Sequence, residues 1–151
     1  MKLSLTVNDQ PHELDVDPLR ALLDLLREDL ALIGAHRGCE EGGCGACTVL
    51  LDDTPVYACQ IPVCQLDGAH IKTVEGLAAD EQRLAPLQAA LIKAGATGCG
   101  YCLPGLLMTS LALRKRTPRP RPEELRALLA GNLCRCTGYQ VIQDAVLEVL
   151  R

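Results

Sequence analysis

Nine cysteines fall into two tight groups with one left over. The first group is Cys39, Cys44 and Cys47, joined after eleven intervening residues by Cys59. The second is Cys99 and Cys102, joined after 31 residues by Cys134 and Cys136. Cys64 stands apart. Thiols spaced this way must be gathered by sharply bent loops, and the rest of the chain has to hold those loops in place. Residues 1–10 alternate polar and apolar without the apolar core of a secretory leader. An odd cysteine count in such a chain argues against a disulfide framework and for metal or redox chemistry. No stretch approaches the ~20 apolar residues of a membrane span. The expected location is therefore cytoplasmic, or periplasmic if the chain is exported with a partner that carries the signal.

The 151 residues suffice for one ordinary domain or two small ones. With three Tyr and no Phe or Trp, any core must be aliphatic. Small domains bury little surface and gain from metal staples. The net charge of −4 lacks the basic footprint of a nucleic-acid binder.

Along the chain, Leu3, Leu5 and Val7 alternate with polar residues. A turn is expected over residues 8–11, and Leu14 and Val16 resume the alternation, which predicts a hairpin. Asp17 and Pro18 predict a helix start, with Leu19, Leu22, Leu23, Leu26 and Leu30 on its apolar stripe. After the glycine- and cysteine-rich loop 38–47, strands are predicted at 48–51, 55–58 and 69–74. This order fits a small mixed α+β domain. The second half predicts helices at 86–94, 105–116, from 122 to a stop at Gly131 and Asn132, and 139–150. Residues 117–122, with three prolines, are expected to be extended. Four helices with short connections read as a four-helix bundle. The division is residues 1–76, a linker over 77–85, and residues 86–151.

The Cys39-x₄-Cys44-x₂-Cys47 run has plant-type ferredoxin spacing for a 2Fe-2S cluster. Gly38, Gly42, Gly43 and Gly45 permit the tight backbone, and their amides can donate to cluster sulfur. Cys59 is expected to return as fourth ligand at the end of a strand, sooner than in plant ferredoxins. A four-cysteine zinc site fits this triple-plus-one less well. The second group, taken alone, leaves zinc and an iron–sulfur cluster both open. Its pairs are expected at helix ends, where free amides and the helix dipole favour thiolates.

The segments Gly38–Val49, Cys99–Gly105 and Gly131–Tyr139 resemble the cluster loops of the xanthine dehydrogenase family of molybdenum hydroxylases. Thr73–Leu77 resembles that family's inter-domain junction. The similarity runs through nearly the whole chain in order and extends to the small iron–sulfur subunits of bacterial heterotrimers. It implies a β-grasp, plant-ferredoxin-like domain followed by an all-α four-helix-bundle domain. It implies two 2Fe-2S clusters, held by Cys39, Cys44, Cys47 and Cys59 and by Cys99, Cys102, Cys134 and Cys136. It further implies an electron-transfer role without catalytic residues of its own. Partners would be a large molybdopterin subunit, placed near the helical-domain cluster, and a medium FAD subunit or another acceptor. Three positions depart from the pattern: Gly98 replaces a Gln near the pterin, Leu103 replaces a Thr, and Cys64 replaces a small or aliphatic residue. A free-standing two-cluster ferredoxin and a zinc-stapled interaction module are the competing readings.

Among the lesser features, Cys64 is expected to pack as a small hydrophobe. His12, His36 and His70 have no ligand spacing and are expected on the surface or in loops. Arg114, Lys115, Arg116, Arg119 and Arg121 read as a solvated helix end. Arg135 is placed to offset cluster charge or reach a partner.

Overall fold

In the computed structural model, residues 1–77, 85–115 and 118–150 are described. Alternation at the start of the chain becomes β1 (Lys2–Val7), whose Leu3, Leu5 and Val7 are buried, paired antiparallel with β2 (Gln10–Asp15). Asn8 and Asp9 alone make the turn, with φ of 49° and 65°. Left-handed backbone at both central residues suits the right-handed twist of the strands, and Asn and Asp tolerate it best after glycine. Gln10 and Pro11, expected in the turn, already belong to β2. Proline is accommodated because β2 lies at the sheet edge. The same chemistry recurs between β3 (Thr48–Leu51) and β4 (Thr54–Tyr57), where Asp52 and Asp53 have φ of 47° and 66°. The last strand, β5 (His70–Lys72), is shorter than expected and pairs parallel with β1 and antiparallel with β3. The sheet order is β2-β1-β5-β3-β4.

The first helix departs from expectation. It begins only at Leu22 (α1, Leu22–Asp24) and continues as a π-wound turn over Leu25–Asp29. The Asp17 side chain accepts the Leu19 amide in a local turn instead of capping a helix. Beyond that turn the chain is tied to 61–64: Ala21 bridges Pro62, the Leu22 amide donates to the Ile61 carbonyl, and the Val63 amide to that of Arg20. Leu19 is consequently 80% exposed, while Leu22, Leu23, Leu25 and Leu26 are at most 1% exposed.

The second half contains α2 (Pro86–Lys93), α3 (Leu103–Arg114), α4 (Pro122–Leu128) and α5 (Gln140–Leu150). Pro86 and Pro122 stand at first helical positions, where the missing amide costs no hydrogen bond. The expected linker lies mostly outside the described residues, as does part of the proline-rich segment. Each half has its own aliphatic core. One is built from β1, α1 and its π turn, β3 and β5, the other from Leu87, Leu91, Leu106, Leu125, Ile142 and Val146 with their neighbours. Val74 and Leu77, from the end of the first half, pack on the second core. The fold is thus a mixed five-stranded sheet unit followed by a helical one.

These burials separate two leucines that share a predicted stripe. Leu26→Ala should lower unfolding free energy by about 2–5 kcal/mol through lost contacts and a cavity. Leu19→Ala should change it by no more than about 0.5 kcal/mol. Denaturant titration of the two variants checks the difference.

Candidate metal centres

Glycine and left-handed backbone shape the first cysteine loop. Glu40, Gly42 and Gly45 have φ of 59°, 73° and 71°, which turns successive amides toward one point. The amides of Glu41, Gly43 and Cys44 donate to Cys39 Sγ at 3.4, 3.3 and 3.3 Å. Those amides, Glu41's first, lower the Cys39 thiol to about 7. Cys39 also shares a hydrogen bond with Cys44. A Cβ at Gly38 would lie 2.6 Å from Cys44 Sγ, so that position is closed to any side chain. Cys47 and Cys59 form the second pair, and burial pushes Cys47 up to about 12. Cys59 sits in a 3₁₀ turn, Ala58–Gln60, and not at a strand end. Gln60, which nothing in the sequence singled out, bridges the site. Its Nε2 donates to the Glu40 carbonyl at 3.0 Å and lies 3.4 Å from Cys59 Sγ.

The second group is built at the N-terminal ends of α3 and α5. Cys102 is the residue before α3, and Cys134 and Cys136 lie between α4 and α5. Thiols pair as Cys99 with Cys136 and Cys102 with Cys134. The Tyr101 amide, then the Cys136 side chain, lower Cys99. Burial opposes ionisation of Cys134, but the Thr137 hydroxyl and the Cys136 and Thr137 amides together lower it. Cys102 does not follow the helix-end expectation: burial outweighs the helix terminus and pushes it up to about 12. The Cys134 amide donates to the Tyr139 hydroxyl at 2.8 Å, which pins the turn into α5. At Gly98, an added Cβ would meet Cys136 Cβ at 2.3 Å, so a glutamine side chain has no room here unless Cys136 moves.

The thiols therefore converge as two pairs in each half. Among the described residues, no three His, Cys, Asp or Glu side chains surround a single-ion position. Paired thiols with amide donors aimed at sulfur suit a two-iron, two-sulfide group in a four-cysteine site, with two thiolates for each iron.

The two sites face one seam. Buried Asn132 donates from Nδ2 to the Gly45 carbonyl at 2.9 Å and to Thr48 Oγ1 at 3.2 Å. Its Oδ1 accepts from the Thr109 hydroxyl at 2.7 Å. A Cβ at Gly105 would lie 2.1 Å from the Gly45 carbonyl oxygen, and one at Gly45 would lie 2.2 Å from that of Gly131. The Tyr57 hydroxyl donates to the Gly131 carbonyl at 3.1 Å. Beside these contacts the Leu133 amide donates to the Cys44 carbonyl at 2.9 Å.

Of the isolated residues, Cys64 differs from expectation. Cys64 is exposed in the 3₁₀ turn Val63–Gln65 and packs in neither core. As expected, His36 lies in a loop, where it is half-buried and stacked on Tyr101, and His70 is exposed on β5; His12 is half-buried on β2. Of the basic run, Lys115 pairs with Asp53 at 2.5 Å, Arg119 donates to the Leu150 carbonyl, and Arg121 pairs with Glu123 and Glu124. Arg116 lies outside the described residues.

A model of the 2Fe-2S iron-sulfur cluster binding domain matches residues 5–85, and a second 2Fe-2S binding domain matches 73–147. The nicotinate dehydrogenase small FeS subunit of Eubacterium barkeri is 44% identical over 95% of this chain and 91% of its own length. The chain belongs to the small iron–sulfur subunits of the molybdenum hydroxylases. This small iron–sulfur subunit superposes on a chain of quinoline 2-oxidoreductase from Pseudomonas putida 86 with a TM-score of 0.94. Identity there is 41%, covering 99% of this chain and 92% of that one. Human aldehyde oxidase is 43% identical over 88% of the small iron–sulfur subunit, which spans only 11% of that longer protein.

The seam yields a test. Asn132→Leu removes three hydrogen bonds and strands buried partners, at about 1–3 kcal/mol for each group left unsatisfied. It should lower the unfolding midpoint and speed hydrogen exchange at the Leu133 amide. Gly105→Ala should do the same by forcing the halves apart. Wild-type exchange at Leu133 in both variants would contradict the closure described.

Proposed function

We propose that this chain is the electron-relay subunit of a multi-subunit molybdenum hydroxylase, with Cys39, Cys44, Cys47 and Cys59 holding one 2Fe-2S cluster and Cys99, Cys102, Cys134 and Cys136 the other. When bound, the clusters supply one-electron redox chemistry between a molybdopterin centre on a large partner and FAD on a medium partner, or another acceptor. The observation that carries the reading is the hydrogen bond from Leu133 to the Cys44 carbonyl. It joins a residue of the first cysteine group to the neighbour of Cys134 in the second. A zinc-stapled module or an independent ferredoxin has no need for two thiol sites joined so directly across a domain seam.

On this reading one iron would be held by Cys39 and Cys44, and another by Cys47 and Cys59. In the helical half, the assignments are Cys99 with Cys136 and Cys102 with Cys134. The protein's own contribution is positioning. Amides aimed at Cys39 and Cys99 stabilise negative charge on sulfur, and burial of Cys47 and Cys102 keeps water from the inner side of each site. The first half is read as a β-grasp, plant-ferredoxin-like domain over residues 1–76, supported by the sheet order and the parallel β1–β5 pair. The second is read as a four-helix bundle over 86–151, supported by four helices around one core, with 77–85 as the linker. Exposed Cys99 and Cys136, beside exposed Leu133 and Tyr101, support docking of the helical half on the molybdenum chain. No helix among the described residues is long and apolar enough to cross a membrane. The relay reading is compatible with a complex in the cytoplasm, or in the periplasm if a partner carries an export signal.

Purified chain should contain four irons and four acid-labile sulfides, the stoichiometry of two such clusters. Cys59→Ala should halve that content, and Cys64→Ala should leave it intact. One zinc without visible charge-transfer absorption would refute the assignment.

In the assembled enzyme, Cys136→Ala should abolish substrate-driven reduction of the remaining cluster. Cys59→Ala should still allow the helical-domain cluster to be reduced while blocking delivery to the acceptor. Rapid-mixing spectra distinguish this order from its reverse.

A further inference from the structure

Cys99 lies in a glycine-rich segment. Glycines flank it on both sides, Gly98 and Gly100, and Gly100 has φ of 83°. Such a segment is conformationally loose unless something beyond it fixes its path. The Asn132 seam grips the first cysteine loop at Gly45 and the 131–134 turn, but it does not reach the 98–101 segment. Tyr101, two residues on, does the reaching. Its ring stacks on His36 with centroids 4.4 Å apart and planes 20° from parallel. Its hydroxyl donates to the Arg37 carbonyl at 2.7 Å. Its carbonyl oxygen lies 2.8 Å from His36 Nδ1, so that nitrogen carries the proton and donates.

We propose that Tyr101 and His36 form a positioning clamp across the domain seam, which fixes the Cys99 segment of the helical half against the first cysteine loop of the sheet half. Ring face, hydroxyl and carbonyl each tie Tyr101 to the 36–37 segment. The sheet side of the clamp is itself braced. The His36 amide donates to the Ala46 carbonyl at 3.1 Å, between Cys44 and Cys47. The Arg37 guanidinium is held by Asp24, Glu28 and Glu40. On the helical side, Tyr101 stands two residues from Cys99, and its amide is the leading influence that lowers that thiol, so the restraint passes to Cys99 along a short stretch of backbone. His36 and Tyr101 are therefore positioning residues for electron transfer between the two sites, a role that rests on the relay reading above.

The test is His36→Leu and Tyr101→Leu in the full-length chain carrying its iron and sulfide, purified with its partner chains. Both should leave the sheet-domain signal of the reduced protein in place. Both should broaden the helical-domain signal, change the magnetic splitting between the two, and lower the helical-domain midpoint potential as the amide donor to Cys99 loosens. Tyr101→Phe keeps the stack and the carbonyl contact and should restore most of the wild-type spectrum. His36→Leu should also speed hydrogen exchange over residues 99–102, a readout independent of the iron. If Tyr101→Leu loses iron, His36→Leu decides, because it lies in the other half of the chain. Wild-type splitting, potential and exchange in His36→Leu would overturn the clamp. A wild-type chain lacking two reduced signals would instead overturn the two-cluster reading, and the exchange measurement would still decide the clamp.

Discussion

The carbonyl oxygen of Gly45 is the point on which the two halves close. It accepts from the Thr48 amide and hydroxyl within its own half and from Asn132 across the seam. Gly105 lies against it so closely that a methyl group could not be inserted. In a site shielded from water each of these groups would be costly if left unpaired, so the arrangement favours full closure or none. Full closure brings the Cys44 carbonyl onto the Leu133 amide. The register of two separately cored units is thereby set at the place where their thiols must come close.

Burial divides the thiols into inner and outer pairs. Cys47 and Cys102 sit in apolar surroundings that push both to about 12, so ionising them is unfavourable without a nearby cation. Iron held at the proposed sites would supply that cation, and ligand binding that requires thiolates would displace the thiol protons and contribute to folding free energy. The outer thiols Cys39 and Cys99 are lowered instead, chiefly by backbone amides. Protein stability and metal loading would then be two aspects of one equilibrium.

Much of the frame was legible because it depends on neighbours in sequence. Both hairpins follow from short acidic or amide turns between alternating strands, and both cysteine groups follow from spacing. The late start of α1 was not legible, since it depends on pairing of residues 18–22 with 61–64, far away in the chain. The seam escaped for the same reason: Gly45, Gly105 and Asn132 acquire their meaning only when brought together. Cys64 was misread as a packing residue because free cysteine is usually buried, whereas the 3₁₀ turn that carries it turns the thiol outward. The glycine at 98, legible only as a departure, becomes intelligible once Cys136 is seen against it.

Tyr57 and Tyr101 send their hydroxyls across the seam, and Tyr139 accepts the Cys134 amide. These are the only Tyr, Phe or Trp residues in the chain. Neither core contains a fully buried aromatic ring, so the protein's tyrosine emission arises wholly from side chains that touch the seam or a cysteine turn. The molecule thus carries its own optical gauge of inter-domain closure, with no background from either hydrophobic interior.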